Sequence, residues 1–161
     1  AFNVDQAILS ERYLVLQKSL HPDNFVTADA QEQRIAMQKS TEVNDALKTL
    51  KDPILRSEAI IALNTGEAQD LEQKSTQDVT FLMQQLEWRE ELENIEQSQD
   101  ENALESFAKR VKKETKEMLT ALEAQLNEQQ WSTAAQFCDK LRFLKKLADE
   151  ISQVEERLFE L

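Results

Sequence analysis

One glycine and two prolines serve a chain of 161 residues, and this scarcity decides more about the fold than any motif does. Tight hairpins need residues that accept positive φ or a preset bend, above all glycine and proline. With Gly66, Pro22 and Pro53 as the whole supply, a sheet of several strands lacks material for its corners. Leu, Ala, Glu, Gln and Lys, all good helix formers, dominate instead. The chain is therefore expected to be all-α.

The few breakers then mark where helices end. Leu9, Tyr13, Leu16 and Leu20 recur at steps of four, three and four, one stripe of a helix that Asp5 can cap. Pro22 stops it, since proline lacks an N–H and pushes the preceding residue out of the α region. His21 and Asp23 are left on an exposed bend. Asp29 and Glu32 form a capping-box pattern for a second helix carrying Ala36, Val43, Ala46, Leu47 and Leu50. Asp52-Pro53 ends it, which gives an αα-hairpin. Ile54, Leu55, Ala59, Ile60 and Leu63 follow on a short helix with Pro53 in its first turn and Gly66 after its end.

Residues 64–77 are polar and read as a connection. Beyond them lie three amphipathic helices: one from about Asp78 to Gln97, one carrying Leu104, Phe107, Val111, Met118, Leu122 and Leu126, and one carrying Phe137, Leu141, Leu144, Ala148, Ile151 and Leu158. Short loops between long helices predict an antiparallel bundle. At about 100° per residue, Phe81, Trp88, Leu92 and Ile95 face inward. Leu82, Met83 and Leu86 point away, beside Glu90 and Glu93, with Glu87 at the border. Phe143 also lies off its stripe, about 100° from Leu144. An apolar patch opposite the core and rimmed by carboxylates fits an interaction site; packing against the N-terminal domain is the other explanation. Lys109, Arg110, Lys112, Lys113 and Lys116 form a basic run read as a solvated face.

Composition excludes several functions. A formal charge of -12 opposes general binding to nucleic acid or an anionic membrane, so the expected partners are proteins. His21 is the only histidine and Cys138 the only cysteine. Cys138 falls on a helical stripe as a small hydrophobe, a poor nucleophile. Glu87-x-x-Glu90 lacks the histidine a helical di-iron site needs, zinc patterns are absent, and one glycine makes no phosphate loop. No cofactor, metal site or active site of its own is expected. No run approaches the roughly 18 apolar residues of a membrane span, and no signal pattern is visible, so bacterial cytoplasm is the expected location.

With these elements in place, residues 2–56 resemble a J-domain, the module that activates DnaK-type ATPase chaperones. Val43-Asn44-Asp45-Ala46-Leu47 and Leu50-Lys51-Asp52-Pro53 are similar to the end of its long third helix. Several further stretches resemble the HscB family, J-type co-chaperones of iron-sulfur cluster assembly. These are Leu20-His21-Pro22-Asp23 with Phe25, Asp52 to Glu58, Phe81 to Glu87, Arg89-Glu90-Glu91-Leu92, and Lys140-Leu141-Arg142-Phe143-Leu144. The resemblance covers essentially the whole chain.

The resemblance implies an adaptor with two ends. Residues 1–63 would be a J-domain lacking most of its first helix, 64–77 a connection, and 78–161 a scaffold-binding bundle. An HscA-type chaperone would be engaged by His21, Pro22 and Asp23, with Arg12 and Lys18 adding positive charge. An IscU-type scaffold would be held on Leu82, Met83, Leu86, Glu87, Glu90 and Phe143, and the cluster would stay with the scaffold. Asn24 stands where the family commonly has lysine, and Asn94 where relatives can carry a carboxylate. The alternatives are a general J-domain protein with another client on the bundle, and a helical structural protein with an incidental His-Pro-Asp turn.

Overall fold

A computed structural model describes residues 2–26, 29–66 and 79–159. Among them are six α-helices, one 3-10 turn and no strand. The helices are α1 (Gln6–Leu20), α2 (Ala30–Lys51), α3 (Pro53–Thr65), α4 (Val79–Ser98), α5 (Glu101–Asn127) and α6 (Trp131–Phe159), and the 3-10 turn Pro22–Phe25 follows α1. The chain divides into two compact units, Ala1–Ala59 and Ile60–Leu161, with the division inside α3. Of the expected connection at 64–77, residues 64 and 65 complete α3 and Gly66 follows it at φ +74°. Residues 67–77 lie outside the described residues.

Local chemistry sets the helix ends. Asp5 accepts from the N–H groups of Ala7 and Ile8 at 3.0 and 3.2 Å, and Asp29 from Glu32 at 2.8 Å. Asp52 accepts from Ile54 and Leu55, and Asp100 from Ala103. Each carboxylate satisfies N–H groups that a first helical turn leaves orphaned. His21 is extended at φ -58°, ψ 137°, as its place before Pro22 demands. Two ends could not be foreseen, because Gln99 and Gln129 take φ of 53° and 60° without being glycine. At the second, Gln130 N–H bonds Gln125 C=O and Gln129 N–H bonds Leu126 C=O, covering the last carbonyls of α5.

In the first unit α1 lies along α2, and polar side chains join them. Asn44 Oδ1 accepts from Tyr13 Oη at 2.5 Å and from Gln17 Nε2 at 2.6 Å, while Ser40 Oγ donates to Gln17 Oε1 at 3.1 Å. Ala36 is buried, and Val43, Leu47 and Leu50 are half-buried. Ala46, expected on this stripe, is exposed, since it sits at the stripe's edge and its methyl is too short to reach inward.

The second unit contains the larger core. Phe81, Leu92, Ile95, Leu104, Phe107, Val111, Leu122 and Leu126 are buried as periodicity requires, and Cys138 is wholly buried beside them. On α6 the seam runs Leu144, Leu147, Ile151, Val154 and Leu158, at steps of three and four that keep one face on its partners. Ala148 lies one residue beyond that seam and is exposed, so Leu147 and Val154 fill the places expected of it.

Candidate partner-binding surfaces

The bend after α1 is a fixed turn. Asn24 Nδ2 donates to the carbonyls of Lys18 at 2.6 Å and Ser19 at 3.4 Å, covering acceptors that the last turn of α1 leaves open. Asn24 N–H also bonds His21 C=O, and Gln33 Nε2 bonds Phe25 C=O at 2.9 Å, tying the turn to α2. Asn24 thus has a structural task that sequence alone did not reveal; a short amide after His-Pro-Asp was the available signal.

His21 and Asp23 project from this frame, with side chains 60% and 85% exposed. Nδ1 of His21 accepts from the Asp23 N–H at 3.2 Å, so in this arrangement the ring proton is on Nε2. The same nitrogen lies 3.4 Å from Asp23 Oδ2, but an ion pair there would need a proton on Nδ1 and would break the backbone bond. The Asp23 carboxylate, so exposed, is open to a cation from outside the turn. Arg12 and Lys18 are both exposed on α1. Six residues apart, they point about 120° from one another, and Arg12 lies more than two helical turns from the bend, so they do not form one patch.

On α4 the inward face packs against the other two helices of the bundle. Phe81 meets Phe143 edge-on at 6.0 Å, and Trp88 packs against Phe107 at 5.7 Å. Arg89 Nη1 bonds both oxygens of Glu150 at 2.9 and 3.1 Å, Arg110 pairs with Glu91, and Arg157 reaches Glu96 at 2.7 Å. The outward face carries Met83 and Leu86, 57% and 67% exposed, with Leu82 half-buried beside them. Glu87, Glu90 and Glu93 are exposed around these residues.

Phe143 departs from its expected exposure. It is 8% exposed and belongs to the core, because Phe81 meets it edge-on and the Arg89 guanidinium covers it at 5.5 Å from the ring centroid. Arg89 therefore fixes the ground beneath the patch, a task sequence reasoning missed. Its spacing, seven residues after Leu82 and three after Leu86, was the signal. Among the described residues, no three His, Cys, Asp or Glu side chains converge as a metal site, and no helix is long and apolar enough to cross a membrane.

Comparison with known proteins gives these surfaces a setting. Residues 77–152 match the family described as the HSCB C-terminal oligomerisation domain. A co-chaperone protein HscB homolog of Haemophilus influenzae is 69% identical over 160 residues, covering 99% of this chain and 92% of the relative. Among solved structures, the chaperone HscB from Vibrio cholerae has a TM-score of 0.93 at 40% identity, covering 98% of this chain and 93% of that one. The human co-chaperone protein HscB has a TM-score of 0.85 at 28% identity, covering 96% and 77%. With its helical hairpin, its His-Pro-Asp turn and its C-terminal bundle, the chain belongs to the HscB family of J-domain co-chaperones.

Proposed function

We propose that the protein stimulates the ATPase of an HscA-type chaperone and delivers an IscU-type iron-sulfur scaffold to it, so that cluster transfer is coupled to ATP hydrolysis. In this reading the J-domain spans residues 1–63 and the scaffold-binding bundle 78–161, joined by 64–77. His21, Pro22 and Asp23 engage the chaperone: the proline sets the bend, and Asp23 pairs with a basic residue of the ATPase. Arg12 and Lys18 add attraction from the two flanks of α1. The scaffold rests on Leu82, Met83 and Leu86, with Glu87 and Glu90 orienting it. Phe143 acts from below, keeping α4 at its height above the bundle. The chemistry stays on the partners, with the protein positioning them, and it runs in the bacterial cytoplasm where ATP is supplied.

The observation that carries this reading is the exposure of Met83 and Leu86 on a helix whose inward face is already satisfied. The bundle's own packing makes no use of them, and an apolar anchor within a charged rim is how protein partners are held. The test is steady-state ATP hydrolysis by the chaperone, with this protein and the scaffold added separately and together. Stimulation should rise further when the scaffold joins and vanish with Asp23→Asn. Leu86→Ala should remove the added effect of the scaffold and leave stimulation by this protein alone intact. Stimulation indifferent to the scaffold would assign the bundle another client, and stimulation surviving Asp23→Asn would end the J-domain reading.

A further inference from the structure

The His-Pro-Asp turn borders a groove of about 410 Å³ between the turn and α2. Asp23 stands at its edge, and Leu20, Phe25, Val26, Ala36 and Met37 supply its apolar wall. Val26 and Met37 are 71% and 67% exposed, so the wall is open to a partner. The polar groups in the lining are bonded within the unit. Gln33 Nε2 donates to Phe25 C=O, Ser40 Oγ to Gln17 Oε1, and Thr41 Oγ1 to the Met37 carbonyl at 3.1 Å. What the groove offers a visitor is thus apolar surface with one carboxylate at its lip.

Those two features select one kind of occupant. A wholly apolar visitor would leave Asp23 facing a dry contact without a counter-charge, which costs free energy. A purely basic visitor would not use the wall. A basic side chain with an aliphatic neighbour satisfies both, and the groove is wide enough for a Val, Leu or Ile side chain. We propose that this groove seats an aliphatic side chain of the ATPase chaperone, lying beside the basic residue that pairs with Asp23. The proposal rests on the chaperone reading above and divides its labour: Asp23 triggers hydrolysis, and Val26 and Met37 hold the partner in place.

The experiment titrates the protein into the HscA-type chaperone and fits two quantities, the maximal stimulation of ATP hydrolysis and the concentration for half of it. The double variant Val26→Ala with Met37→Ala should raise the half-maximal concentration about 5- to 30-fold, the loss expected for two apolar contacts, at unchanged maximal stimulation. Asp23→Asn should abolish the stimulation itself. Leu63→Ala, at a still more exposed leucine elsewhere, should change neither. Both groove positions are largely solvent-exposed, so the double variant should keep its melting curve and circular dichroism. If Asp23→Asn abolishes stimulation while the double variant titrates like the parent, the groove proposal is overturned and the chaperone reading survives. If Asp23→Asn remains active, both fail. A double variant that titrates normally but loses a concentration-dependent sedimentation shift would assign the groove to a second copy of the chain, which also overturns the proposal.

Discussion

Between α1 and α2, hydrogen-bonding side chains make the crossing: Tyr13, Gln17, Ser40 and Asn44. No residue of α1 is buried, and Ala36 is the one buried hydrophobic among the described residues of the first unit. In the bundle the crossings are apolar, and Phe107, Leu122, Cys138 and Leu147 have no measurable exposure. Burial stabilises in proportion to apolar area, whereas a solvent-accessible hydrogen bond largely replaces one made to water. The bundle is the rigid mount, and the hairpin is held in register by directional but individually modest contacts.

The largest expected effect lies in the bundle. Phe107→Ala should cost about 3–5 kcal/mol in urea unfolding followed by circular dichroism, since Phe107 is wholly buried against Trp88. A loss near 1 kcal/mol would erase the contrast between the units. Next comes Asn44→Ala, which removes the acceptor shared by Tyr13 and Gln17. It should cost about 0.5–1 kcal/mol, visible as faster hydrogen exchange along α1 while α5 and α6 keep their protection. Unchanged exchange along α1 would deny the hairpin its polar register. Smallest is the joint change Met83→Ala and Leu86→Ala. Both side chains are mostly solvated, so stability should stay within about 0.5 kcal/mol even as scaffold binding falls. A large stability loss would show that the patch serves the bundle's own packing.

Helix ends were legible wherever one residue decides them. Asp5, Asp29, Pro22 and Pro53 act within a turn of their own position, and the observed boundaries follow them. Ends that depend on backbone conformation without a marker residue, at Gln99 and Gln129, were not legible. The outward face of α4 could be read because 3.6-residue periodicity separates Leu86 from Leu92 unambiguously. Phe143 sits at the margin of its stripe, where burial is decided by partners far along the chain, Phe81 and Arg89. Periodicity has no information about such contacts. Asn24 followed the same logic at shorter range, since its two carbonyl partners appear only once the turn has its shape.

The three-residue connection between α5 and α6 also has a consequence in time. These two helices share the most extensive interface among the elements and are separated only by Glu128, Gln129 and Gln130. Closing so short a loop costs little chain entropy, but only Gln99 and Asp100 separate α4 from α5, so it is the larger α5–α6 interface that favours this pair. The α5–α6 hairpin is therefore expected to assemble early, with α4 settling onto it afterwards through Trp88, Arg89 and Glu91. Pulse-labelled refolding should show α5 and α6 amides protected before those of α4. A helix that docks last is also the one whose departure disturbs least. The surface offered to a client would then be governed by how fast α4 closes onto a hairpin that is already complete.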